Sequence, residues 1–188
     1  VVRTRKTPVF DSGGLAVLKG NLAPDGAIIK QSSASSKLVN HQGRAVVFDG
    51  LADLSNRIDD EDLDVSSKDI LVLKNIGPKG APGMPEAGLI PIPKKFARMG
   101  VKDMVRISDG RMSGTASGTI VLHVAPEAAV GGPLNYVKNG DEIYLNVNTR
   151  TLKLLVSDEE LQVRKKMMPI ITTSPKRGYG KLFHEHVT

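Results

Sequence analysis

Four apolar runs limit what this chain can become: RAVVFDG (44–50), DILVLKN (69–75), DMVRIS (103–108) and GTIVLHVA (118–125). A strand with one wet face alternates polar and apolar residues, so runs with little or no alternation predict strands covered on both faces. Each is short and punctuated by Gly or Asp. Two further runs, LAVLKG (15–20) and GAIIKQ (26–31), flank a turn signal at Pro24-Asp25-Gly26. DEIYLNV (141–147) and TLKLLVS (151–157) alternate around Asn148-Thr149-Arg150, which predicts an antiparallel hairpin. Helical signals are fewer: Leu51, Leu54 and Ile58 at helical spacing, a short piece from Pro93 to Met99 closed by Gly100, and a capping box at Ser157 and Glu160. The last of these is expected to stop at Pro169. The fold class expected is α/β, mixed and strand-rich, one domain over 1–188 with parallel and antiparallel pairing.

The chain has no cysteine among its 188 residues, which excludes a disulfide framework, a thiolate nucleophile and any cysteine ligand to a cluster. Aromatic residues are 4% with no Trp, so the core rests on Val, Ile, Leu and Ala, and stacking platforms for single-stranded nucleic acid are scarce. The net charge of +6 sits in short clusters such as Arg164-Lys165-Lys166, which suits steering of small anions better than a nucleic-acid footprint. No apolar run approaches the ~20 residues of a membrane span, and VVRTRKTPVF lacks the apolar core of a signal peptide. A soluble, cytoplasmic protein is the expectation.

Two glycine-rich stretches follow predicted strand ends, where function often resides. NIGPKGAPGMPEAG (75–88) is stiff yet sharply turning, and Glu86 is its only carboxylate. On the residues alone a structural loop with Glu86 in solvent is favoured over a hard-cation ligand. SDGRMSGTASGT (108–119) lacks the spacing of a P-loop or dinucleotide fingerprint. Either its Ser113 bonds its own backbone in a turn, or the turn presents Ser113 and Thr115 together to a cavity. His123, inside an apolar strand, reads as a satisfied core residue. His184 and His186 would share a strand face, without the third ligand a zinc site needs.

SDGRMSG resembles the C-terminal signature of the dihydroxy-acid and 6-phosphogluconate dehydratase family. GGLAVLKGNLAPDGAIIK (13–30), GRAVVFDG (43–50), GPKGAPGMPE (77–86) and HVAPEAAVGGPL (123–134) match it in order, so nearly the whole chain is covered. RMSGTASGTIVLHVAPEA and KRGYGKLFHEHV are more similar to the sugar-acid, arabinonate or xylonate-type branch than to the branched-chain biosynthetic one.

The resemblance implies a swivelling β/β/α domain with a barrel-like sheet, and a hydro-lyase that turns a 2,3-dihydroxy acid into a 2-keto-3-deoxy acid. It implies Ser113 as the base for the C2 proton, Thr115 as a substrate or serine partner, and Glu86 as a Mg²⁺ ligand. It also implies an iron–sulfur cluster whose cysteines lie in an N-terminal domain, so the chain is expected to be the C-terminal piece of a longer, oligomeric enzyme and inactive alone. A branched-chain dihydroxy-acid dehydratase domain, or a non-catalytic anion-binding module on the same fold, is the alternative.

Overall fold

The computed structural model describes residues 2–9, 12–167 and 175–187. Among the described residues eight strands carry the fold: β1 (Ala16–Gly20), β2 (Ala23–Ile29), β3 (Asn40–Asp49), β4 (Ile70–Lys74), β5 (Arg106–Ser108), β6 (Ile120–Ala125), β7 (Glu142–Asn146) and β8 (Thr151–Leu154). They close into a barrel in the order β1-β2-β6-β5-β4-β3-β7-β8. The β3-β4-β5-β6 half is parallel throughout, and the remaining pairs are antiparallel except β1 with β8. The expected α/β, strand-rich class with a barrel-like mixed sheet is therefore what forms.

Alternate residues explain both core layers. Ala45 and Val47 of β3, Ile70 and Val72 of β4, Ile107, Val121, Ile143, Leu145, Leu152 and Leu154 fill the barrel interior. The intervening Val46, Phe48, Leu71 and Leu73 face outward, onto Leu54 and Ile58 beyond the barrel wall. Those two lie on and just after helix α1 (Gly50–Arg57). Apolar cover on both sides is the reason β3 and β4 read as unbroken hydrophobic runs. β1 faces solvent outside and keeps its alternation, with Val17 at 50% exposure between buried Ala16 and Leu18.

Helices α2 (Lys94–Arg98), α3 (Asp158–Met167) and α4 (Gly178–His186), with short 3-10 turns at Gln31–Ser33, Ala128–Val130 and Pro133–Tyr136, complete the described elements. Gly100 ends α2 at φ 83, as its C′ position requires. In α3 half of the capping box forms: Ser157 Oγ accepts the Glu160 N–H at 3.3 Å, while the Glu160 carboxylate turns to Arg164. Pro169, the expected stop, lies outside the described residues. Among the described residues no helix is long and apolar enough to cross a membrane.

Three local expectations are corrected. The β1–β2 turn falls at Asn21-Leu22, and Pro24-Asp25-Gly26 lies inside β2. There the pairing slips by two residues against β1 and by one against β6, with Gly26 at φ 114, so the turn-like residues make a bulge. His184 and His186 sit on α4 rather than on a strand, so two residues of separation place them on different faces. His123 is exposed, not core.

Candidate functional site

Parallel pairing of β4, β5 and β6 aims their C-terminal ends the same way. The glycine-rich loop after β4 and the serine loop after β5 thus emerge side by side at one mouth of the barrel. In sheets of parallel strands this carboxyl end is where ligands gather.

Buried charge locks the loops to each other. The Asp109 carboxylate, 1% exposed, accepts N–H groups from Asn75 and Ile76, both at 3.1 Å, and from Ala128 at 3.0 Å. One side chain therefore ties the start of the glycine-rich loop to the start of its own loop and to the loop after β6. Burial pushes the Asp109 carboxyl above its ordinary value, against the pull of those three donors, and the nearby Glu127 charge adds to the rise. Glu127 accepts Lys79 N–H at 2.8 and 3.0 Å and Gly80 N–H at 3.1 Å. Backbone N–H groups that could cradle a phosphate are thus filled by the chain's own carboxylates.

The loop exits are joined as well. Arg106, 4% exposed, donates to Leu89 O at 2.9 Å, Ile90 O at 3.2 Å and Asp103 Oδ1 at 2.7 Å. Asp103 Oδ2 in turn accepts the Thr119 hydroxyl at 2.7 Å. Between the ends, Arg111 of the serine loop reaches Met84 and Glu86 of the other loop. A Cβ on Gly88 would lie 2.8 Å from Arg111 O and 2.4 Å from Leu122 Cδ2, so only glycine allows the loops to approach this closely.

Ser113 Oγ and Thr115 Oγ1 are 3.1 Å apart and the pair is solvent-accessible. The Thr115 N–H is 3.5 Å from Ser113 Oγ, too long for a strong bond, so the turn itself does not consume the hydroxyl. Lys30 Nζ donates to Gly114 O at 2.9 Å, which brings an ammonium into the serine turn. Glu86 is exposed, as the structural reading had it, yet its Oε1 accepts Arg111 Nη1–H at 2.5 Å. Glu86 and Ser113 are joined through Arg111 rather than directly.

Among the described residues no three His, Cys, Asp or Glu gather as a metal cage. Glu86 fits a hard cation as one ligand, since its Oε2 has no hydrogen-bond partner among the described residues. Cluster ligands of the usual kind are excluded by the lack of cysteine.

His123 lines a cavity of about 390 Å³ with Lys79, Met84, Asp109, Pro126 and Glu127. Its φ is 51, and its backbone N–H bonds Gly110 O at 3.1 Å. Partial burial, then the nearby Arg111 charge, lowers its pKa from the ordinary 6.5. Asn75, Met84 and Ile90 hold φ of 64, 47 and 46 on the glycine-rich loop. Left-handed backbone of this kind costs roughly 1–3 kcal/mol per residue and gathers at functional sites.

A family model described as dihydroxy-acid/6-phosphogluconate dehydratase C-terminal matches residues 1–188. The chain belongs to that family. Three relatives show what the chain is similar to. An L-arabinonate dehydratase of Rhizobium leguminosarum bv. trifolii is 51% identical over 187 residues, covering 100% of this chain and 32% of the relative. A 6-deoxy-6-sulfo-D-gluconate dehydratase of Pseudomonas putida is 49% identical over 191 residues, covering 100% and 33%. A dihydroxy-acid dehydratase of Clostridium beijerinckii is 41% identical over 186 residues, covering 97% and 33%. The chain thus spans about a third of the length of the curated relatives it matches.

Within this family domain, the Ser113 and Glu86 loops were visible as glycine-rich strand ends, and Asp109 and Arg111 stood in the serine stretch. Glu127 and Arg106 carried no local signal. Glu127's partners lie 47 and 48 residues earlier, and Arg106 lies inside a strand-like run.

Proposed function

We propose that this chain is the C-terminal catalytic part of a hydro-lyase that converts a 2,3-dihydroxy sugar acid into its 2-keto-3-deoxy acid. One observation carries the reading: Arg111 clasps the Glu86 loop to the serine loop, so a carboxylate and a hydroxyl pair face one mouth of the barrel. Higher identity to the two sugar-acid dehydratases than to the dihydroxy-acid dehydratase supports the substrate class.

Ser113 Oγ takes the proton from C2 of the substrate. The C2–H electrons form the C2=C3 double bond, hydroxide leaves C3, and the resulting enol tautomerises to the keto acid. A serine hydroxyl is far too weakly acidic to act unaided. Thr115, 3.1 Å away, donates to Ser113 Oγ once that hydroxyl has given its proton to solvent, and the Lys30 ammonium, held on Gly114 O at 2.9 Å, brings positive charge to the same turn. Glu86 would supply one oxygen to Mg²⁺, and a cation held there would act as a Lewis acid that makes the C2 proton easier to remove. This chain has no cysteine to ligate an iron–sulfur cluster.

The test is Ser113→Ala in the full-length enzyme, with 2-keto acid formation from arabinonate and related sugar acids as the readout. Loss of a general base costs about 10²–10⁴-fold in kcat. Because Ser113 is not buried, the melting temperature should stay at the wild-type value. Turnover within a factor of two of wild type removes the assignment.

A further inference from the structure

Arg111 belongs to the serine loop by sequence and to the glycine-rich loop by contact. Its Nε donates to Met84 O at 2.7 Å, its Nη1 donates to Glu86 Oε1 at 2.5 Å, and its own carbonyl accepts the Gly88 N–H at 2.7 Å. The three contacts fall on residues 84, 86 and 88 and bracket the carboxylate.

This is more than a surface ion pair. With side-chain exposures of 40% for Arg111 and 49% for Glu86, charge attraction alone would contribute little to stability, because solvent screens it and both side chains lose freedom. Here the guanidinium is anchored first by the main chain, through Met84 O, and the backbone of Arg111 is held by Gly88. The carboxylate therefore meets a donor whose place is already set. Ser113 follows Arg111 by two residues, so the same anchor relates the hydroxyl to the carboxylate.

We propose that Arg111 is a positioning residue: it fixes Oε1 of Glu86 and presents Oε2 to a hard divalent cation at a set distance from Ser113. The inference rests on the reading of Glu86 as a cation ligand. Guanidinium, carboxylate and cation would alternate in charge, with each cation facing its own oxygen. A carboxylate already held by one oxygen loses less freedom when the ion arrives, which favours binding. Outer partners that orient a ligand in this way are commonly worth 10–100-fold in metal affinity.

The experiment uses the full-length enzyme with Mn²⁺ as the probe, its free concentration read by electron paramagnetic resonance without turnover. Arg111→Met should weaken Mn²⁺ binding by about 10–100-fold, and excess Mg²⁺ should restore much of kcat. A merely structural loss would not be repaired by added cation. In a Glu86→Gln background, Arg111→Met should change Mn²⁺ affinity no further. Unchanged or tighter Mn²⁺ binding in Arg111→Met overturns the proposal, the tighter result meaning that charge repulsion outweighs positioning. Glu86→Gln with wild-type affinity instead overturns the underlying ligand reading. Should Arg111→Met fail to fold, Arg111→Lys decides: a single ammonium cannot reproduce the guanidinium's rigid Nε and Nη1 pair, so intermediate affinity is expected and wild-type affinity overturns the idea.

Discussion

At the scale of single residues, the site depends on carboxylates that face backbone rather than solvent. Asp109 is the clearest case, because burial raises its pKa while three N–H donors hold its charge. For a raised acid, the folded state keeps its proton to higher pH than the unfolded chain does. The contribution to stability is full below the ordinary 3.8 and is lost as pH climbs through the folded value. Asp59 and Asp64, held low by Lys94 and Arg44, act the other way, and their contribution is lost only as pH falls below 3.8. We expect the urea midpoint of wild type minus that of Asp109→Asn to decline as pH rises above 3.8. Profiles that run parallel across that window would show that Asp109 does not titrate with folding. None of this was legible in the stretch SDGR, since Asp109's partners come from residues 75, 76 and 128.

Among elements, strands were the readable part. Runs covered on both faces marked β3, β4 and β6, and the β7–β8 hairpin formed around the expected Asn148-Thr149-Arg150. The β1–β2 turn misled because Pro24-Asp25-Gly26 serves equally well in a bulge, a choice made by β6 pairing on the far side. Helix α4 was not anticipated, since Gly178 and Gly180 at its start hide the period. Helix α3 is fastened by Arg164, whose Nη1 donates to Tyr136 O at 3.0 Å and Nη2 to Asp141 Oδ1 at 3.0 Å. Arg164→Ala leaves Asp141, only 10% exposed, without its cation. The expected cost is about 3–5 kcal/mol in denaturant unfolding. A double change, Arg164→Met with Asp141→Asn, should cost much less, because no uncompensated charge remains buried.

At the scale of the whole molecule, eight strands close a core, while the chain spans about a third of its relatives' length. Glu86, Ser113 and Thr115 face outward from the barrel mouth, so we expect the isolated 188 residues to unfold cooperatively yet show no dehydration of arabinonate. Adding the rest of the full-length enzyme should create turnover, and turnover by the isolated chain would contradict a divided site. The residues alone determined the α/β class, the buried parallel strands and the two glycine-rich loops, because alternation, turn chemistry and motif are local properties. Only the tertiary structure decided that those loops meet. Their meeting depends on the β4–β5 parallel register, Leu73 beside Ser108, and on Asp109, Arg111, Arg106 and Glu127 reaching backbone that is distant in the chain. A buried charge finds its partner by burial and geometry, and neither is written in the spacing of residues along the chain.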